Sequence, residues 1–205
     1  MAQIENGIRR VLSNGVVYDL LQAFMGAAKI RREFVRDYLK PAPGNYFMDI
    51  GCGTGDILSY LPLDINYFGF DASEEYIRRA EARFGVRGKF ECAFVDSLVA
   101  QRLPAMDVVL AGGLIHHLDD HEVEGLLENA KKALKPGGRF VAIDPCFTED
   151  QNIASKWLVS KDRGCNVRDQ FGYQDLARSV FGSVESDVVH RTWVPYTHHI
   201  MVCYP

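Results

Sequence analysis

A chain of 205 residues is long enough for one well-buried α/β domain and short for two. Its 47% hydrophobic and 24% charged residues are typical of a globular protein, and a formal net charge of −4 argues against nucleic acid as the main partner. Because no apolar run approaches about 18 residues and the N-terminus lacks the hydrophobic region of a signal peptide, the sequence predicts a cytoplasmic protein without membrane insertion.

A helical segment precedes the first predicted strand. Apolar residues recur at helical spacing over residues 6–39, and Pro41 and Pro43 end the pattern. Ligands of open parallel sheets bind outside the carboxyl ends of the strands. The sequence therefore predicts that residues 1–43 are an addition to the α/β core and lie over this crevice as a lid. The alternative is that they only pack against the edge of the sheet.

Three glycines follow the first predicted strand. Residues 46–50 form a short apolar run, Gly51, Gly53 and Gly55 alternate after it, and a helix is expected from Asp56 onward. Glycine lets the backbone approach a ligand closely because no Cβ intervenes. The next apolar strand ends in Asp71, about 20 residues after the glycines, where an acid accepts hydrogen bonds from ribose hydroxyls. These features predict a nucleoside-containing cofactor.

The spacing of the glycines narrows the choice of cofactor. Dinucleotide sites use G-x-G-x-x-G, and Asp56 stands where that motif has its last glycine, so a pyrophosphate would be repelled. An NAD-dependent oxidoreductase is therefore disfavoured. No G-x-x-x-x-G-K-[ST] motif is present, which argues against a nucleoside triphosphate loop.

Five motifs in order along residues 45–145 resemble those of the class I S-adenosylmethionine-dependent methyltransferases that act on small molecules. They begin at Asp49, Phe70, Phe94, Met106 and Leu134. The resemblance implies S-adenosylmethionine as the cofactor, with an acid after the third strand near the adenine amino group. Asp49, just before the glycines, is predicted to position backbone amides or the cofactor ammonium group. The implied cofactor-binding residues are Asp49, Gly51, Cys52, Gly53, Gly55, Asp71, Ala72, Asp96, Ser97 and Gly112.

The rest of the chain predicts further helices and strands around this core. Helices are expected at residues 73–84, 120–133, 153–160 and 173–180. Two final strands, at 183–191 and 197–204, should pair antiparallel across a turn that contains Pro195. The resemblance implies one doubly wound, Rossmann-like α/β domain over residues 1–205, with a mostly parallel seven-stranded sheet and a reversed last strand.

Two adjacent histidines and a polar loop are the candidates for the reaction itself. His117 is a candidate general base because histidine titrates near neutral pH, although a structural or cofactor-lining role for His116 and His117 explains the pattern as well. Methyl transfer mainly needs positioning of the two reactants. The loop at 161–168 lies beyond the fifth strand, where two arginines are suited to clamp a substrate anion. The predicted substrate-binding residues are Tyr18, Arg163, Asn166 and Arg168.

The sequence thus favours methyl transfer to a small molecule, with oxygen as the first choice of acceptor atom and nitrogen or carbon left open. A non-catalytic, S-adenosylmethionine-binding or nucleoside-binding regulator is the alternative from another class. The five cysteines contain no C-x-x-C pair and their number is odd, so reduced thiols are expected, with neither a disulfide framework nor a metal site.

Overall fold

The computed structural model describes residues 27–162, 164–191 and 195–205. Seven strands form one sheet in the order β3-β2-β1-β4-β5-β7-β6, and every pairing is parallel except those of β7 with β5 and β6. This confirms the predicted mostly parallel sheet with a reversed last strand. The strands are β1 Tyr46–Ile50, β2 Asn66–Asp71, β3 Gly88–Cys92, β4 Met106–Gly112, β5 Leu134–Pro145, β6 Ser183–Arg191 and β7 Tyr196–Tyr204.

Helices connect the strands and cover the sheet. The predicted bounds of residues 153–160 agree with the structure, and Ser73 caps the second helix through its side chain, which accepts from the Tyr76 backbone N–H. The helix expected from Asp56 is only a short 3₁₀ helix, Asp56–Tyr60, which ends just before Pro62. The α-helices are α1 Ala27–Phe34, α2 Glu74–Phe84, α3 Ser97–Gln101, α4 Asp120–Ala133, α5 Ile153–Ser160 and α6 Gln170–Val180.

Alternating side chains of the central strands form two separate cores, one on each face of the sheet. Met48 of β1 packs with α4 and α6, whereas its neighbour Phe47 packs on the opposite face. The same alternation separates Val109 from Val108 on β4. Both faces are apolar because both are covered, as expected for parallel strands joined by helical crossovers.

The described part of the N-terminal extension packs on the face of the sheet. Helix α1 continues into a π-helical turn, Val35–Leu39, and Phe34, Val35 and Leu39 are buried in the same core as Phe47. Arg139 of β5 donates to the carbonyl of Leu39. Residues 27–39 thus support the core directly. The lid over the crevice was predicted for residues 1–43. Its first 26 residues lie outside the described part of the chain, so the lid stays a prediction.

Candidate active site

The glycine loop lies at the carboxyl end of β1 in a conformation that requires glycine. Gly51, Gly53 and Gly55 have φ angles of 75°, 53° and 72°, all in the left-handed region. The backbone N–H groups of Gly51 and Cys52 both donate to the carbonyl of Phe70, at 2.7 and 2.9 Å. The loop is therefore tied to the end of β2. The positive φ angles explain why glycine occupies the three alternating positions.

Asp71, the last residue of β2, closes this loop. Its Oδ2 accepts from the Gly53 N–H at 2.9 Å, and its Oδ1 accepts from the Ser73 N–H at 2.8 Å. A carboxylate oxygen accepts more than one hydrogen bond, so Asp71 keeps capacity for ribose hydroxyls. A Cβ added at Gly53 would meet no protein atom within 4 Å, which leaves space for a ligand directly beside the loop.

The side chains of Asp49 and Cys52 connect the glycine loop to β2. Asp49 is buried, and its Oδ2 accepts from the Tyr67 hydroxyl at 2.5 Å. Burial raises the pKa of Asp49 to about 7, the Tyr67 hydrogen bond works in the opposite direction, and the nearby Asp71 charge adds to the rise. Tyr67 is a partner that the sequence did not indicate for Asp49, and the predicted role of Asp49 toward backbone amides or the cofactor ammonium stays a prediction. The Cys52 thiol lies over Gly69 of β2.

The loop after β3 holds Asp96 in a role that the sequence reasoning did not name. Asp96 Oδ1 accepts from the N–H groups of Leu98 and Val99, both at 2.9 Å, and so caps α3, which begins at Ser97. Phe94 and Leu98 are more than 70% exposed beside it. Both side chains are apolar and lie close in sequence to Asp96, the acid that the family resemblance places near adenine.

The ends of β4 and β5 are adjacent. Gly112 of β4 pairs with Ile143 of β5, and the Gly113 N–H donates to the Ile143 carbonyl at 2.8 Å. A Cβ at Gly112 would approach only Ile143, at 4.0 Å. This pairing brings the residue after Ile143, Asp144, close to the 3₁₀ turn Ile115–His117 that follows β4.

His116, rather than His117, is the buried histidine of the pair. Its Nδ1 lies 2.7 Å from Asp144 Oδ1, and its Nε2 lies 3.0 Å from Asp162 Oδ1. Burial alone lowers the pKa of His116, but the two carboxylates outweigh burial and raise it to about 9. With a carboxylate oxygen at each ring nitrogen, both nitrogens can donate when His116 is an imidazolium, the form that the raised pKa favours.

Asp162 is held in place by further hydrogen bonds. Its Oδ1 also accepts from the Gly164 N–H at 2.9 Å, and its Oδ2 accepts from the Tyr196 hydroxyl at 2.6 Å. Burial works to raise the pKa of Asp162, but the hydrogen bond from His116 holds it below its usual range. Burial raises the pKa of Asp144. Sequence reasoning missed both acids because their partners are distant along the chain.

His117 lies beside this network. Its ring centroid is 4.1 Å from that of His116, with the rings tilted by 40°, and it is half-buried. His116, His117 and Asp162 each offer a ligand atom within 4.8 Å of the others, a spacing that could hold a metal ion. The catalytic role predicted for His117 stays a prediction.

The polar loop at residues 161–168 packs tightly on His116. The Asn166 N–H donates to the His116 carbonyl at 3.0 Å, and a Cβ at Gly164 would overlap the His116 ring. The Asn166 backbone is thus placed, while substrate binding by its side chain stays a prediction. Two further predicted substrate contacts, Tyr18 and Arg163, lie outside the described residues.

Arg168 anchors this loop to the protein. Its guanidinium donates to Asp120 Oδ1 at 2.6 and 3.0 Å, and to the carbonyls of Ile115 and Leu118 at 3.3 and 3.0 Å. A guanidinium with these internal partners has little left to offer a substrate anion. The structure therefore shows Arg168 holding the loop, and the substrate clamp predicted for it stays a prediction.

Comparisons with known proteins agree with this geometry. A family model described as a methyltransferase domain matches residues 48–140. The ubiquinone/menaquinone biosynthesis C-methyltransferase UbiE of Acidiphilium cryptum is 30% identical over 181 residues, which cover 80% of this chain and 70% of that protein. The O-methyltransferase cnsE of Penicillium expansum is 28% identical, with 66% of this chain and 54% of that protein covered. The chain belongs to the class I S-adenosylmethionine-dependent methyltransferase family.

The fold is shared with solved structures of low sequence identity. The pyocyanin biosynthetic protein PhzM superposes with a TM-score of 0.71 at 20% identity, over 93% of this chain and 58% of that one. This chain spans 31% to 59% of the length of several of its curated relatives. Among the described residues, no helix is long and apolar enough to cross a membrane.

The glycine loop fits the cofactor of this family. S-Adenosylmethionine carries a ribose but no phosphate, so it needs a ribose acceptor and no phosphate-binding helix start. Asp71 stands where the sequence predicts the ribose acceptor, which stays a prediction, while Asp56 makes the start of the following 3₁₀ helix acidic. Asp56 is paired with Arg83 and lies 3.6 Å from Arg31, which ties the loop to α2 and α1.

Proposed function

We propose that this protein transfers a methyl group from S-adenosylmethionine to an oxygen atom of a small molecule. The observation that carries the proposal is the glycine loop at the carboxyl end of β1. Gly51, Gly53 and Gly55 all have positive φ angles, Asp71 is bonded to the loop, and the space above Gly53 is open. A nucleoside without phosphate groups is the ligand chemistry that this loop suits.

The carboxyl ends of the parallel strands form one edge of the sheet, called the carboxyl edge here. Its two halves have different roles. The half at β1 and β2 holds the cofactor through backbone groups and Asp71. The half at β4 and β5 presents the polar network of His116, Asp144 and Asp162. The ends of β1 and β4 are neighbours in the sheet, so a cofactor on the first half lies next to an acceptor on the second.

Catalysis then depends chiefly on orientation. When bound, S-adenosylmethionine supplies an electrophilic methyl group on a sulfonium. The glycine loop holds one reactant, and the residues beyond β4 and β5 hold the other, so the displacement becomes effectively unimolecular. Burial of the network also excludes water from one side of the crevice.

His116 is a poor general base in this arrangement. Each of its ring nitrogens already donates to a carboxylate, so neither has a lone pair for the proton of an acceptor hydroxyl. The network instead carries two carboxylates against one imidazolium. This excess of negative charge favours positive charge nearby, including that of a sulfonium.

Oxygen is proposed as the acceptor atom because two relatives carry the name O-methyltransferase, those of Penicillium expansum and Pyrenophora dematioidea. Other relatives are named for nitrogen and carbon acceptors, so this choice needs a direct test. Phosphoethanolamine and geranyl diphosphate, the acceptors that two of these names give, are small molecules.

The first experiment is calorimetric titration of the purified protein with S-adenosylhomocysteine, with NADH as the parallel ligand. We expect micromolar binding of S-adenosylhomocysteine and none of NADH. Binding of NADH alone, or of neither ligand, overturns the proposal. A screen of phenols, carboxylic acids, amines and activated carbon acids with methyl-labelled cofactor then identifies the acceptor atom. Binding without transfer to any acceptor would favour the non-catalytic regulator.

A further inference from the structure

His116, His117 and Asp162 form a cluster that the proposed methyl transfer leaves without a chemical role. We propose that these three residues bind a divalent transition-metal cation, with zinc as the best match. Two imidazoles and one carboxylate are a common ligand set for such ions. The binding itself is independent of the proposed function, whereas its use in methyl transfer rests on that function.

The geometry places three ligand atoms around one point. His116 Nε2 and Asp162 Oδ1 are 3.0 Å apart, and the ligand atoms of all three residues lie within 4.8 Å of one another. With zinc–ligand bonds of about 2.0 to 2.2 Å, donor atoms of one site are separated by roughly 3 to 4 Å. Side-chain movements of about an ångström are enough to close the cluster around an ion.

Groups outside the cluster already orient its members as ligands. A metal-binding histidine usually donates its second N–H to a carboxylate, and His116 Nδ1 lies 2.7 Å from Asp144 Oδ1. Asp162 is fixed in the same way, since the Gly164 N–H and the Tyr196 hydroxyl both donate to it. These bonds leave His116 Nε2 and Asp162 Oδ1 facing each other.

Charge balance also favours a cation at this point. Asp144 and Asp162 bring two negative charges to one imidazole in a largely buried network. The single positive charge of an imidazolium between them would leave one negative charge uncompensated. A divalent cation in place of the proton on Nε2 neutralises both carboxylates, which lowers the cost of burying them.

Three protein ligands leave a coordination position for another molecule. If the proposed function holds, that position suits the hydroxyl oxygen of the acceptor. A cation there makes the hydroxyl more acidic, so its proton leaves to solvent. The oxygen lone pair then forms the new O–C bond, and the S–C bond breaks with its electron pair remaining on sulfur. This supplies the activation that His116 cannot provide as a base.

The test is a titration of metal alone into the protein after removal of metals with a chelator. Exposed thiolates also bind zinc, so the parent protein carries Cys92→Ser and Cys165→Ser. We expect one zinc ion per chain with a dissociation constant of micromolar or tighter. Asp162→Asn and His117→Ala should each weaken binding by at least tenfold, whereas His190→Ala, an exposed histidine away from the cluster, should not change it.

Cobalt absorption gives a second readout that does not depend on activity. We expect the visible bands of a low-symmetry site with nitrogen and oxygen ligands, lost in Asp162→Asn. Absence of zinc binding, or binding that is unchanged in both cluster variants, overturns the inference, provided that circular dichroism shows folded variants. Because S-adenosylhomocysteine binding is measured separately, failure of the metal site and failure of the proposed function are distinguishable.

Discussion

The two halves of the carboxyl edge are built by different means. The cofactor half depends on the backbone: three glycines with positive φ and amides that donate to Asp71. The acceptor half depends on charged side chains, among them His116, Asp144 and Asp162. One half is therefore sensitive to the addition of a Cβ, and the other to the loss of a charge.

The halves also differ in how far apart their partners lie in the chain. Gly53 and Asp71 are 18 residues apart, within one strand–helix–strand unit. His116 and Asp144 are 28 residues apart, and Arg168 and Asp120 are 48 apart. The first arrangement belongs to one strand–helix–strand unit, whereas the second also needs the chain beyond β5, which brings Asp162 and Arg168 back to the region after β4.

The largest expected effect is loss of the buried acid of the acceptor half. Asp144→Ala leaves His116 Nδ1 buried without its carboxylate partner, so we expect the free energy of unfolding to fall by about 3 to 5 kcal/mol. Urea denaturation at pH 7 measures this. Asp150→Ala is the matched control, since it removes an exposed aspartate 3.5 Å from His190 and should cost less than about 1 kcal/mol. Equal effects of the two substitutions would contradict the importance of the buried pair.

The next effect concerns the buried acid of the cofactor half. Burial is the main reason that the pKa of Asp49 is raised to about 7. The folded protein therefore binds a proton at Asp49 more tightly than the unfolded chain does. The stability contribution of protonated Asp49 is complete below about pH 4 and is lost as the pH rises through 7.

We therefore expect wild-type protein to lose about 2 to 3 kcal/mol more than Asp49→Asn between pH 5 and pH 8. Asparagine keeps an oxygen that accepts from the Tyr67 hydroxyl but cannot ionise. Urea denaturation curves at several pH values provide the difference between the two proteins, in which other titrating groups cancel. Parallel stability profiles would show that Asp49 does not titrate in this range.

A smaller effect tests the backbone character of the cofactor half. Gly53→Ala places a methyl group in the open space above the loop, and we expect S-adenosylhomocysteine to bind at least about tenfold more weakly, or about 1.4 kcal/mol. Gly137→Ala is the control, because Gly137 also has a positive φ and open space around its Cβ position but lies at the far end of β5. Both variants should lose about 1 to 2 kcal/mol of stability from backbone strain. Calorimetry that gives both variants the wild-type affinity would show that the cofactor does not approach Gly53.

The difference between the halves explains what could be predicted from sequence. The strands and the glycine loop follow from apolar periodicity and from glycine spacing, both of which are local. The mostly parallel seven-stranded sheet with its reversed last strand was implied by the family resemblance. The 3₁₀ helix at Asp56–Tyr60 was expected to be longer, and its end before Pro62 is the local reason that was overlooked.

The acceptor half could not be predicted in the same way. Nothing near Asp144 or Asp162 in the sequence indicates a histidine partner. The pairing of β4 with β5 brings Asp144 to His116, and the segment after α5 brings Asp162 there. Arg168 illustrates the same limit. An arginine in a polar loop beyond β5 suggested binding of a substrate anion. In the structure, Arg168 contacts a carboxylate distant in the sequence and the carbonyls of the turn after β4. Side-chain roles in such a network depend on contacts that only the folded chain contains.

The smallest expected effect tests whether the two halves move independently. Lysine at position 168 keeps the charge but loses the forked donor set that holds Asp120 and two carbonyls, so the loop at 161–168 should open more often. In Arg168→Lys we expect the Asn166 amide, which donates to the His116 carbonyl, to exchange with deuterium about two- to fivefold faster. The Gly53 amide, bonded to Asp71, should exchange at the wild-type rate.

Arg178→Lys is the matched control for this exchange experiment, because Arg178 forms an exposed pair with Asp175 on α6 and should affect neither amide. Faster exchange at both Asn166 and Gly53 would mean that the two halves open as one unit. Faster exchange at Asn166 alone would mean that the acceptor half opens on a cofactor half that stays closed. In that case the cofactor can bind first to a preformed loop, and the anchored segment at 161–168 controls only the entry of the acceptor.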